Sequence, residues 1–129
     1  MARKAGSQPT EFEMEVLQVL WELGPCSLGD IHEAIAKRKD VAYSTTRKMT
    51  QVMREKGLIK CREDERPMQY SAAKSQALTQ KALVRDLAKR AFGGDPAQMM
   101  MSLLSAKSIS DDELSEMKEI IESERKRRK

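Results

Sequence analysis

The 129-residue chain has few of the side chains from which an enzyme is built. It carries one histidine, His32, and two cysteines, Cys26 and Cys61. It has no glycine-rich phosphate loop and no recognisable nucleophile motif. No catalytic activity is therefore expected. Two cysteines do not make a disulfide framework in a chain of this size. Their spacing, even with His32 added, matches no standard metal site, so neither metal nor other cofactor is expected. Aromatic residues are only 4% of the chain, which predicts an aliphatic, methionine-rich core. No apolar run is long enough to span a membrane, and the opening "MARKAGSQPTE" lacks the apolar stretch of a signal peptide. These absences point to a cytoplasmic protein.

Charge is abundant and unevenly placed. Between Lys37 and Arg62 stand nine basic residues against two acidic ones, Asp40 and Glu55. Between Thr10 and Leu23 stand four glutamates and no basic residue. A basic block beside an acidic helix is the footprint of a protein that offers one face to a polyanion.

The local signals describe five or six helices and one hairpin. "TEFE" is a capping box, Thr10 with Glu13, opening a helix whose apolar face includes Phe12, Val16, Leu17, Val19, Leu20 and Trp21. Gly24–Pro25 stops it. Ser27 and Asp30 open a second helix through Ile31 and Ile35. The third is "YSTTRKMTQVMREKG", with Thr46, Met49, Val52/Met53 and the following Leu58 expected to face helix one. After Gly57, "LIKCRED" and "MQYSAA" read as two strands around a charged tip. A long helix follows from about Lys74 to "GGDP", then the apolar stretch "AQMMMSLLSA". The last helix opens on a second capping box, Ser110 with Glu113, and ends in the basic tail "RKRRK".

Three helices followed by a hairpin is the order of a winged helix-turn-helix. The expected fold is mainly α with a small β-hairpin. Residues 1–73 form the winged-helix domain, and residues 74–129 a helical dimerisation domain with the basic tail. On the third helix Ser44, Thr45, Arg47, Lys48 and Gln51 are expected to face outward, toward the major groove of DNA. Such side chains reach phosphates and make paired hydrogen bonds to base edges. Lys60, Arg62 and Arg66 on the wing are expected near the phosphate backbone, against the opposition of Glu63, Asp64 and Glu65. The run "MMMSLL" has no partner within a closed winged helix. Leu87, Met100, Leu103, Leu104, Leu114, Met117, Ile120 and Ile121 are accordingly expected to pack against a second copy. Two alternatives are a winged-helix module that binds only protein and a DNA-binding regulator that answers to a small molecule.

"EFEMEVLQVLW", "YSTTRKMTQVMREKGLI", "RPMQYSAA" and "SDDELSEMKEII" together resemble the penicillinase-repressor family, over nearly the whole chain. The resemblance implies a homodimeric winged-helix transcriptional repressor on a palindromic operator. It also implies a membrane sensor-transducer protease as a partner, triggering cleavage in the dimerisation domain. The family's scissile bond is Asn–Phe, and the matching position here is Ser102–Leu103, which argues against induction at that bond. The copper-responsive branch carries a C-terminal cysteine cluster, and this chain has no cysteine beyond Cys61. On the third helix the family often has Thr where this chain has Lys48, and Arg where it has Val52. A different operator sequence is therefore expected.

Overall fold

The structure, a computed structural model, describes residues 8–129. The opening segment read above for a signal peptide falls mostly on residues 1–7, outside the described residues. The element order is α1 (Glu11–Leu23), α2 (Leu28–Ala36), α3 (Tyr43–Lys56), β1 (Ile59–Arg62), β2 (Gln69–Ala72), α4 (Gln76–Phe92), α5 (Pro96–Ala106) and α6 (Asp111–Arg128). This is a mainly helical chain with one antiparallel hairpin, a winged helix-turn-helix followed by further helices. The chain divides into two compact units between Leu83 and Val84, a division that falls inside α4. Among the described residues no helix is long and apolar enough to cross a membrane.

Short-range chemistry sets the helix ends. The Thr10 and Ser27 side chains each accept the N–H three residues on, and Glu13 and Asp30 reciprocate to the cap's own N–H. Two orphan donors are satisfied at each start, worth about 1 kcal/mol per cap. At the end of α3, Gly57 takes the left-handed conformation, φ 81°. Leu58 N–H then reaches back to Met53 O at 2.9 Å and Gly57 N–H to Arg54 O at 3.0 Å. This is a Schellman closure, and it turns the chain straight into β1.

In the first unit α1 packs against α2 and β2, and α3 against α2 and β1. The core is aliphatic as expected, with Val16, Leu20, Ile31, Ile35, Met53 and Ile59 buried, but it is not methionine-rich: Met53 is the one fully buried methionine among the described residues. Each such side chain contributes about 1.5–3 kcal/mol by leaving water. The inner face of α3 differs from the expected one. Thr46, Thr50 and Met53 are buried, Met49 is half-buried, and Val52 is exposed. Spacing i, i+4, i+7 carries the face past Val52, and hydrophobicity alone misassigned it. Thr50 tolerates burial because its hydroxyl donates to Arg47 O at 2.8 Å.

The hairpin pairs Ile59 with Ala72 and Cys61 with Tyr70. Cys26 bridges to the same hairpin: its N–H and C=O exchange hydrogen bonds with Tyr70 at 3.0 and 2.7 Å. The Cys26 thiol is buried, and burial, with Asp30 nearby, pushes its pKa up.

The second unit, Val84–Lys129, is built on different terms. Asp95 caps α5 and Ser110 caps α6, with Pro96 at the first position of α5. Neither α5 nor α6 has a buried residue, and the same holds along α4. Secondary structure here forms without a core of its own.

Candidate nucleic-acid interface

The first turn of α3 is anchored to α2 through polar contacts. His32 Nδ1 lies 2.9 Å from the hydroxyl of buried Thr46, and the rings of His32 and Tyr43 meet edge to face at 5.3 Å. Ala42 stands at the N-cap and supplies no side-chain hydrogen bond. The first turn carries no acid either. The amides of Thr45 and Thr46 both turn back to Ala42 O. Those of Tyr43 and Ser44 meet no capping side chain, and the positive end of the helix dipole is uncancelled. Such an end suits an anion.

With Thr46, Thr50 and Met53 turned inward, the opposite face presents Ser44, Lys48 and Gln51, all exposed. Arg47 and Thr45 flank this row and are exposed too. The row continues beyond the predicted set to Arg54, seven residues after Arg47 and so on the same side of the helix. The sequence spacing already contained that position. Its ion pair with the wing was not visible there.

On the wing Lys60 and Arg62 point away from the core, alternating with Ile59 and Cys61. Arg62 sits 3.5 Å from Asp64 and 3.7 Å from Glu65. Arg66 Nη1 donates to the carbonyls of Glu63 and Glu65 at 2.6 and 3.0 Å. Arg54 Nη2 donates to Glu63 Oε2 at 2.6 Å, and this hydrogen bond is the main cause of its raised pKa. The tip acids therefore engage Arg62 and, from α3, Arg54, while Arg66 is held by the tip's backbone carbonyls.

A penicillinase-repressor family model matches residues 9–123. The chain belongs to the penicillinase repressor family. As a member it is a transcriptional repressor by family, and repressors of this kind are not enzymes as a rule. Its relatives are distant. The methicillin resistance regulatory protein MecI of Staphylococcus aureus strain N315 is 22% identical over 109 residues, covering 84% of this chain and 89% of the relative. MecI of Mammaliicoccus sciuri is 21% identical over the same share of each chain. An uncharacterised 16.5 kDa protein of Latilactobacillus sakei is 20% identical over 112 residues, 87% of this chain and 77% of the relative.

In the second unit of this penicillinase-repressor chain, Leu87, Leu103, Leu104, Leu114, Ile120 and Ile121 are exposed, with Met100 and Met117 half-buried. Met100, Leu104, Leu114, Met117 and Ile121 line an apolar cleft of about 280 Å³ between α5 and α6. Ser102 and Leu103 lie inside helical α5, both exposed. The basic tail continues the helix: α6 runs to Arg128, and Glu124 pairs with Arg127 and with Arg128, the latter at 2.7 Å. Hydrogen bonds from Arg127, then Arg128, bring the Glu124 carboxyl down to about 2.

Proposed function

We propose that the chain represses transcription as a homodimer that binds a palindromic operator in duplex DNA through α3 and the wing. The observation that carries this reading is the outward row of α3: Ser44, Thr45, Arg47, Lys48 and Gln51 beside an uncapped, acid-free helix start. Hydroxyls, guanidinium and ammonium groups position the helix on phosphates, while Gln51 and Arg47 have the donor pattern that reads base edges. Lys60 adds phosphate contact from β1. Arg62 and Arg66 add less, because the tip acids and carbonyls already hold them.

Dimerisation rests on the second unit. Its apolar side chains remain exposed along three helices, and a second copy turning the same faces inward buries them on both sides. Two α3 helices then meet half-sites about one helical turn, roughly 34 Å, or a multiple of it apart. In this reading the head expected over 1–73 binds DNA and the helices from residue 74 onward pair the copies.

A titration of purified protein on promoter fragments at two salt concentrations tests the reading. Log affinity should fall linearly with log salt, by about 0.9 per phosphate neutralised. A protein-only winged-helix module gives no measurable DNA binding even at low salt, and that result overturns the proposal.

A further inference from the structure

The wing is charge-cancelled by its own tip, and the cancellation reaches into α3. From Lys60 to Arg66 the sequence holds three basic residues (Lys60, Arg62, Arg66) and three acidic ones (Glu63, Asp64, Glu65). Arg62 and Arg66 are engaged within the hairpin, as described above. Glu63 goes further and takes Arg54, the last guanidinium of the outward row of α3, at 2.6 Å. Both partners are exposed, so neither is needed to fill the core.

We propose that Glu63 is a specificity-determining residue that acts through Arg54, withholding it from DNA phosphate and so holding down sequence-independent affinity. The inference rests on the DNA-binding reading above. Phosphate contacts supply essentially all non-specific binding, whereas base contacts carry the sequence information. Taking one arginine out of the phosphate-binding set lowers the first and leaves the second to Arg47, Lys48 and Gln51. The geometry makes the exchange costly in two ways. Arg54 must break its bond to Glu63 to reach a phosphate, and the freed carboxylate then stands beside the same polyanion.

The test uses the full chain and a duplex of about 30 base pairs of arbitrary sequence, titrated at about 50 and 200 mM salt. Glu63→Gln should bind about threefold tighter at the lower salt, with a log–log slope steeper by about 0.9, the increment of one added phosphate contact. Arg54→Met alone should weaken binding by no more than about twofold, because that guanidinium is already committed and the loss comes only from the carboxylate left unpaired. In Arg54→Met/Glu63→Gln the gain and the extra slope should both vanish. The proposal is overturned if Glu63→Gln binds no tighter, if its gain persists without Arg54, or if Arg54→Met alone weakens binding severalfold. Should the wild-type chain fail to bind the duplex at the lower salt, the repressor reading falls and takes this inference with it. Wild-type binding with an unchanged Glu63→Gln removes this inference alone.

Discussion

Replacing Lys56 by Met should unfold the winged-helix unit more than any other change of one exposed-looking lysine. Lys56 is the last residue of α3, and its ammonium reaches both carboxylate oxygens of Glu13, at 2.9 and 3.0 Å. Glu13 is 2% exposed, and its Oε1 also accepts the Thr10 N–H in the capping box of α1. The side chain of Lys56 is 25% exposed, so the pair is mostly screened from water. Removing the ammonium leaves a buried carboxylate with one backbone donor. Breaking a buried pair from one side costs about 3–5 kcal/mol, and the partial exposure of Lys56 places this case near about 3. With a urea m-value of about 1.5 kcal/mol/M, the midpoint should fall by about 2 M. The assay is urea unfolding followed by the single tryptophan, Trp21, which lies in α1 and donates to Lys74 O. Protein concentration is held constant, since association shifts apparent stability. Glu13→Gln should cost less, about 1–2 kcal/mol, because the amide oxygen still accepts the Thr10 N–H and the ammonium can turn to water. The double variant should then be less destabilised than the sum of the two singles. A midpoint shift below about 0.7 M for Lys56→Met, equal to about 1 kcal/mol, refutes the claim that this pair fastens α3 to α1.

Further expectations concern other parts of the chain. Gly57→Ala forces a Cβ into the left-handed conformation and should cost about 1–2 kcal/mol in the same unfolding assay; an unchanged midpoint contradicts the Schellman closure. Lys48→Ala should weaken operator binding or change the footprint, and identical affinity and footprint count against its outward, DNA-facing role. Leu114→Lys with Ile121→Lys should turn the proposed dimer into monomer in analytical ultracentrifugation, whereas an unaltered sedimentation coefficient contradicts an interface on these faces. Glu124 has its folded pKa lowered from 4.5 to about 2, so its pairing supports the end of α6 above its unfolded value and is lost as pH falls through the folded one. Carboxyl-carbon NMR should follow Glu124 titrating near about 2, and a midpoint near the ordinary glutamate value of about 4.3 removes the pairing with Arg127 and Arg128.

Much of the fold was legible because its signals act within one or two turns. The capping boxes at Thr10 and Ser110 and the helix start at Ser27 with Asp30 lie in the sequence as residue types at fixed offsets, and each forms as written. The hairpin was legible from alternation about Cys61 and Tyr70. The candidate interface was legible as a set of residue types, and all eight predicted side chains are exposed. Its inner boundary was less so. Val52 looks like a core residue and Thr50 like a surface one until the Arg47 carbonyl is found to satisfy the threonine hydroxyl.

The sequence by itself determined the order of elements, their ends and the face of α3 that carries hydroxyl, cationic and amide groups, because caps and periodicity are properties of neighbours. Only the tertiary structure decided which charges remain available. Lys56 is tied to Glu13, 43 residues away, and Arg54 to Glu63 across the turn into the wing. Cys26 joins the hairpin through Tyr70, a pairing between segments that share no local pattern. Such contacts depend on where the folded chain returns to itself, and no spacing rule along the sequence encodes that return.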